Sequence, residues 1–260
     1  MAVNLCSAPI NTTNKNMLPV RFERKYYLIP AEVGFAYGLL RQVCPPAREY
    51  PSEQINSLYF DTIDLHQHER SAAGDYHKDK MRIRWYGEGK ALQGMQTAFL
   101  ELKSRRGFTS TKQRLKLQVT AESLMPINLS KGIVPRTMLM DTLARFGYFP
   151  TQILLPVIRI SYWRYRFSEI MTEQKVSLDC NIRSTMIMPG LGNGEKELEL
   201  PGAIIEIKGK TMELPETLTR ARILYTDWTR FSKYSACIDA HQEEPGSVGR
   251  LSPSGRIVWP

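Results

Sequence analysis

The stretch "FLELKSRRG", Phe99–Gly107, sets Glu101, Lys103 and Arg105 at every second position, with Leu100 and Leu102 between them. Successive side chains of a strand point to opposite faces, so this spacing predicts a strand with one apolar face and one charged face. The pattern nearly recurs in "AIIEIKGK", Ala203–Lys210, where Glu206, Lys208 and Lys210 oppose Ile205 and Ile207. Similar alternation predicts strands over 21–29, 55–60, 80–87, 97–104, 112–119, 157–167, 175–182 and 203–209. Turn residues punctuate them at 87–90, 105–110 and 190–197. Helical spacing over 31–44, 135–148 and 215–240 predicts helices, with Pro30 and Pro215 suited to helix starts. The fold class is therefore α+β. An antiparallel sheet of about eight strands, with the helices packed outside, could close into a β-barrel.

The charged faces carry a strong bias. Lys80, Arg82 and Arg84 oppose Met81, Ile83 and Trp85, and Lys112, Arg114 and Lys116 oppose Leu115 and Leu117. Arg21, Glu23 and Lys25 oppose Phe22 and Tyr26, while Lys175, Ser177 and Asp179 oppose Val176, Leu178 and Cys180. One such strand alone fits the solvated face of an antiparallel sandwich. Recurrence on strand after strand does not, because like charges on neighbouring strands repel unless an anion sits among them. Partly dehydrated cations cost several kcal/mol unless paired, and phosphate oxygens suit the forked guanidinium of arginine. The net charge of +9 likewise implies an anionic partner: nucleic acid, anionic lipid or a phosphorylated metabolite.

A chain of 260 residues can bury a sizeable core. The polar, Gly- and Pro-containing stretches 1–18 and 241–260 read as flexible arms around one domain over 19–240. Cys6, Cys44, Cys180 and Cys237 are scattered, which argues against a disulfide framework or a zinc site and predicts a reducing compartment. No apolar run approaches the ~20 residues of a membrane span, and residues 1–16 lack the apolar core of a signal peptide, so the chain reads as soluble and intracellular. His66, His68, His77 and His241 fall in expected loops or the tail, and Asp61 reads as a turn or helix cap. Trp85, Tyr86, Trp163 and Tyr165 read as packing residues. A nucleic-acid binder would instead place aromatics among the cations, whereas Phe22, Tyr26 and Trp85 lie opposite Lys25 and Arg84.

The motifs "RFERKYYL" (21–28), "SLYFDT" (57–62), "KMRIRWYG" (80–87), "FLELKSR" (99–105), "KQR" (112–114), "YWRYRF" (162–167), "VSLDCNI" (176–182), "IIEIKGK" (204–210) and "RFSKYSACI" (230–238) come in an order and spacing that resemble the VTC domain. This is the catalytic domain of vacuolar transporter chaperone polyphosphate polymerases and their bacterial relatives, within the CYTH-like triphosphate tunnel metalloenzymes. The resemblance implies a barrel whose basic tunnel passes the γ-phosphate of ATP to a growing inorganic polyphosphate chain, with ATP and inorganic polyphosphate or pyrophosphate as partners. It implies catalytic cations at Lys25, Arg82, Arg84, Lys103, Arg164 and Lys233. Further phosphate contacts fall on Lys80, Lys112, Arg114, Tyr162, Lys175, Lys208, Arg230 and Ser232. Glu206 stands at the metal-binding carboxylate for Mn²⁺ or Mg²⁺, with Glu101 and Glu23 as additional candidates. The hydrolase branch carries Glu-x-Glu-x-Lys on its first strand; here Arg21 replaces the first Glu, which favours the polymerase branch. Lys175 stands where an arginine is more usual. A triphosphatase or short-chain polyphosphatase is the alternative reading, followed by a non-catalytic polyphosphate or nucleic-acid binder. No nucleic acid is expected as a partner. The expected location is the cytoplasm, including the inner face of a membrane, with room for a separate membrane protein partner.

Overall fold

Alternation sets the sheet, and each strand expected from it forms. The computed structural model describes residues 22–87, 93–107, 109–191, 196–211, 213–220 and 231–242, with the short pieces 250–251 and 257–258. Arg21, Arg230, the stretch 1–18 and most of 241–260 lie outside these residues. The strands are β1 (Phe22–Leu28), β2 (Ser52–Asp61), β3 (His77–Tyr86), β4 (Met95–Arg106), β5 (Thr109–Thr120), β6 (Leu155–Ser168), β7 (Lys175–Met186) and β8 (Glu197–Gly209). Helix α1 (Pro30–Val43) follows β1, α2 (His66–Ala72) follows β2, and α3 (Arg136–Arg145) precedes β6. Helices α4 (Glu216–Arg220) and α5 (Lys233–Gln242) occupy the two ends of the expected helix over 215–240. A short ladder pairs β9 (Arg250–Leu251) with β10 (Ile257–Val258).

The class is α+β, with eight strands in the order β1-β8-β7-β6-β2-β3-β4-β5. The antiparallel registers include Lys25↔Glu206, Arg84↔Ser57, Arg82↔Glu101 and Glu101↔Arg114. The expected barrel closure is corrected by this order. Its ends are β1 and β5, and among the described residues the hydrogen bonds leave the sheet open. The physical reason lies partly in β5. Its exposed residues include Thr111, Lys112, Arg114 and Lys116, and charged side chains on an edge strand oppose further pairing.

Two further corrections concern local structure. The stretch after Asp61, expected as loop, forms α2, so His66 and His68 are helical; His77 begins β3 and His241 lies on α5. The cause is Asp61, a fully buried carboxylate that accepts the backbone N–H groups of Thr62, Gln67 and His68 at 2.7, 2.8 and 2.9 Å. It thereby fixes the helix entry, as its reading as a cap requires. Strand β8 also begins earlier than expected, at Glu197.

The chain divides into two compact units. The first comprises Ile55–Ile160 with Ser184–Glu197. Its core joins Leu58, Phe60, Ile83, Trp85, Leu100 and Leu117 of the sheet to Leu139 and Leu143 of α3. The second contains the described parts of 22–54, 161–183 and 198–242. There Ala36 and Leu40 of α1 pack on Tyr26, Leu28, Val176, Leu178, Ile205 and Ile207. In each unit the core residues alternate along the strands with charged residues, so apolar burial against the helices commits the charged set to the other face.

Gly202 shows how tightly β8 meets β1. It has φ +76°, and a Cβ there would collide with the Leu28 carbonyl oxygen and lie 2.9 Å from the Tyr27 ring. Tyr27 donates its hydroxyl hydrogen to Pro201 O at 3.2 Å in the same corner. Gly202→Ala is therefore expected to cost about 2–4 kcal/mol, combining left-handed strain with a backbone clash. A urea midpoint indistinguishable from that of the parent would show that this corner relaxes freely.

Candidate functional site

Each unit gathers charged side chains on the face opposite its core. In the first unit β2, β3, β4 and β5 lie side by side, which places Lys80, Lys103 and Lys112 in one cross-strand row. The next row is Arg82, Glu101 and Arg114, and the next Arg84, Phe99 and Lys116. Glu101, only 1% exposed, is the carboxylate at the centre. Arg82 donates to its Oε2 from Nε at 2.9 Å and from Nη2 at 2.8 Å. Lys112 Nζ lies 2.6 Å, and Arg114 Nε 3.2 Å, from Oε1. Burial alone would raise the Glu101 carboxyl, but Arg82, Arg84 and Lys112 hold it down at about 2.

Two residues to which the sequence reading gave no role orient these arginines. Arg82 Nη1 donates to the Tyr59 hydroxyl at 2.9 Å, and Arg84 Nε donates to Ser57 Oγ at 3.2 Å. Both lie on β2, whose alternation in "INSLYFD" could have revealed them. The aromatic assignment needs correction as well. Trp85 is core, as expected, but Tyr86 is not only a packing residue, because its hydroxyl accepts from Arg114 Nη2 at 3.2 Å. Phe99 belongs to the same charged face, with Arg114 stacked on its ring.

In the second unit β1, β8, β7 and β6 contribute one face and α5 the remaining cation. Asp179, fully buried, accepts from Arg164 Nε at 2.5 Å and Nη2 at 2.6 Å, and pairs with Lys233 Nζ at 2.5 Å. Glu206, 6% exposed, is surrounded. Arg164 Nη2 and Lys208 Nζ approach its Oε2 at 3.0 and 3.2 Å, and Lys233 and Lys25 its Oε1 at 3.2 and 3.9 Å. Glu23 lies 3.7 Å from Lys25 Nζ and 3.8 Å from Lys208 Nζ. Burial opposes the charges of Arg164, Asp179, Glu206 and Lys233. Asp179 and Glu206 nevertheless hold Lys233 above its ordinary pKa, and the same two carboxylates raise Arg164. Arg164 first, then Lys233, pulls Asp179 below the usual carboxylate range, while Lys233, Lys208 and Arg164 do the same to Glu206. These shifts all favour the charged forms of Arg164, Asp179, Glu206 and Lys233.

The remaining expected residues take varied places. The buried Tyr162 ring lies beneath Lys233 Nζ at 5.0 Å and Arg164 Cζ at 5.4 Å, a cation–π contact. Ser232 Oγ accepts from Ser235 N at 3.3 Å and so caps α5, whose first residue is Lys233. Lys25 Nζ also donates to Phe231 O at 3.0 Å. Lys175 is exposed at the start of β7. Asp179 is the one central residue of this network that the sequence reading passed over. Alternation along β7 puts Asp179 on the charged face but does not by itself single it out.

A metal does not fit these donors as they stand. Among the described residues, no three His, Cys, Asp or Glu side chains converge as a cage. Both oxygens of Glu206 and both of Glu101 already face cations. Adding a divalent ion there would set it against neighbouring ammonium and guanidinium charges.

Two variants test this electrostatic picture. Asp179→Ala leaves Arg164 and Lys233 buried and short of counter-charge, for an expected loss of about 3–5 kcal/mol in urea unfolding. Tripolyphosphate should then raise the variant's Tm more than the parent's, by re-pairing them. For Glu101, whose folded pKa is depressed, stabilisation is present above about 4.5 and is lost as pH falls towards about 2. That window corresponds to about 3 kcal/mol, and Glu101→Gln should remove this part of the acid dependence. A parent and variant with parallel acid-unfolding curves would contradict it.

Comparison with the curated proteins returns no match. Among solved structures, a candidate adenylate cyclase from Bacillus halodurans is similar at 19% identity and a TM-score of 0.47, over 78% of this chain and 90% of that one. A candidate adenylate cyclase from Vibrio parahaemolyticus aligns at 12% identity and a TM-score of 0.35, covering 85% of each chain. A candidate adenylyl cyclase from Hippeastrum, described as having a dominant triphosphatase activity, aligns at 18% identity and a TM-score of 0.38, over 77% of this chain and 87% of that one. The VTC domain model matches residues 20–241, and the chain belongs to the VTC domain family.

Proposed function

We propose that this protein is a polyphosphate polymerase, which transfers the γ-phosphate of ATP to the end of an inorganic polyphosphate chain. Family membership supports an enzyme acting on triphosphates. The observation that carries the choice of acceptor is the state of the carboxylates. Glu101, Asp179 and Glu206 are all ion-paired, and each is held below its ordinary pKa. They are therefore weak bases, poorly suited to activating a water molecule. A terminal phosphate needs no such help, because its attacking oxygen is already anionic near neutral pH.

Phosphoryl transfer through a loose transition state asks chiefly for positioning and for neutralisation of the phosphate oxygens. Arg82, Arg84 and Lys103, with Lys80, Lys112 and Arg114 around them, supply this in the first unit. Lys25, Arg164 and Lys233, with Lys208, supply it in the second. Lys233 stands at the start of α5, where the helix dipole adds to the attraction for an anion. Glu206 and Glu101 hold the cations in place. Mg²⁺ or Mn²⁺ would be expected only as a counter-ion of the nucleotide substrate, since the oxygens of Glu206 and Glu101 already face cations. The proposed location of the reaction is the cytoplasm. None of the described helices is long and apolar enough to cross a membrane. A separate membrane protein is the proposed recipient of the product.

The test is the product. With ATP and Mn²⁺ the parent protein should give long chains on a polyacrylamide gel, whereas orthophosphate without polymer would reassign it as a hydrolase. Arg84→Ala and Glu206→Ala should each lower the rate by about 10²–10³, the scale of losing one positioned charge at a transition state. Polymer at the parent's rate from both variants would overturn the site.

A further inference from the structure

We propose that the Arg114 guanidinium, laid flat on Phe99, is the platform on which the base of the donor nucleotide stacks; this rests on the reading of a nucleoside triphosphate as donor. Arg114 Cζ lies 3.4 Å from the centroid of the Phe99 ring. At that separation the two planes must be face to face, because a guanidinium standing on edge would drive its nitrogens into the ring. Two contacts at its edge then fix the plane. Nη2 donates to the Tyr86 hydroxyl at 3.2 Å, and Nε lies 3.2 Å from Glu101 Oε1. The Tyr86 ring meets Phe99 edge-on, with centroids 6.0 Å apart and planes at 71°, which in turn holds Phe99. One face of the guanidinium is thus covered by Phe99, while the side chain remains 39% exposed.

A fixed, planar, partly exposed cation is a stacking surface for a nucleobase, since guanidinium planes and aromatic rings both accept base faces. Its setting suits a nucleotide better than a free phosphate chain. Phe99 is paired across the ladder with Arg84 on one side and Lys116 on the other, and Arg82 and Glu101 form the next row on that face. Rows on one face of a strand are two residues apart, roughly 7 Å. That is about the reach from a base across its ribose to the first phosphate. A base on Arg114 would therefore leave its phosphates directed to the cations of the neighbouring rows. Two of the guanidinium's edge groups are already engaged by Tyr86 and Glu101, so the platform reads the flat face of the base rather than its hydrogen-bonding edge. ATP and GTP should consequently bind alike.

Calorimetric titration of the full chain with ATP, GTP and tripolyphosphate separates this from simple phosphate binding. Phe99→Leu keeps apolar bulk and loses the ring, while Arg114→Lys keeps the charge and loses the plane. In both, the affinity for ATP and for GTP should fall by about tenfold relative to that for tripolyphosphate, the scale of one lost base stack. Nucleotide and tripolyphosphate affinities falling together would overturn the platform and leave Arg114 as a phosphate contact alone. Unchanged nucleotide affinity in both variants would overturn it equally, with retained tripolyphosphate binding showing that the variants are folded. A parent chain that binds tripolyphosphate but neither nucleotide would overturn the donor reading itself.

Discussion

The carboxylate of Asp179, buried between Arg164 and Lys233, is the constraint on which the second unit depends. Desolvating these groups costs several kcal/mol per ion, and only their mutual geometry offsets it. The cluster cannot be assembled piecemeal, because any single partner left alone is an unpaired charge in a poorly hydrated place. It thereby ties together β6, which brings Arg164, β7, which brings Asp179, β8, which brings Glu206, and the start of α5, which brings Lys233. The same constraint fixes register. A slip of one residue in β7 would turn Asp179 towards the α1 core and Val176 and Leu178 towards the cations. Apolar burial on one face and ion pairing on the other therefore select the same alignment, which is the consistency expected of a well-specified fold.

The two charged faces differ in balance. In the second unit Lys25, Arg164, Lys208 and Lys233 are met by Glu23, Asp179 and Glu206, so the network is nearly neutral by itself. In the first, Glu101 stands between Arg82, Lys112 and Arg114, with Arg84 close enough to lower its pKa. Lys80 and Lys103 form the adjoining row with Lys112. Such a face has more to gain from a polyanion, because phosphate relieves repulsion as well as making hydrogen bonds. The balanced network is better suited to holding a few cations rigidly, and the surplus face to drawing in a chain of charges.

How much of this could be read from the residues depends on range. Alternation is a local property, so the strands and the sidedness of Arg82, Arg84, Lys103, Glu101 and Glu206 were legible directly. Motif order then gave the family. What escaped were features decided by distant partners. Helix α2 carries no strong periodicity, and it forms because buried Asp61 gathers three backbone N–H groups. Tyr86 looked like wall packing because its use depends on Arg114 of β5, far along the chain. Asp179 was visible on the charged face, but its central place needed Arg164 and Lys233 to converge from β6 and α5. Barrel closure failed for the same reason, since no local pattern states which edge strands find a partner.

The ion pairs also bear on how a phosphate chain could be accepted without first dismantling the site. Carboxylate and phosphate oxygens have similar reach and compete for the same N–H donors. Lys25 and Lys208 each touch Glu206 and Glu23 at distances from 3.2 to 3.9 Å, longer than the 2.5–2.6 Å contacts of Asp179. The looser contacts involve partly exposed amines, whereas Asp179 and Lys233 are buried and the Arg164 side chain is nearly so. On the proposed function, an arriving phosphate would draw Lys208 and Lys25 away from Glu206, Lys25 keeping its bond to Phe231 O, while Asp179 holds Arg164 and Lys233. The network then works as a rigid pair of cations with two adjustable ones beside it. On the proposed function, that arrangement would supply pre-set charge for the transition state and still allow substrate and product to exchange.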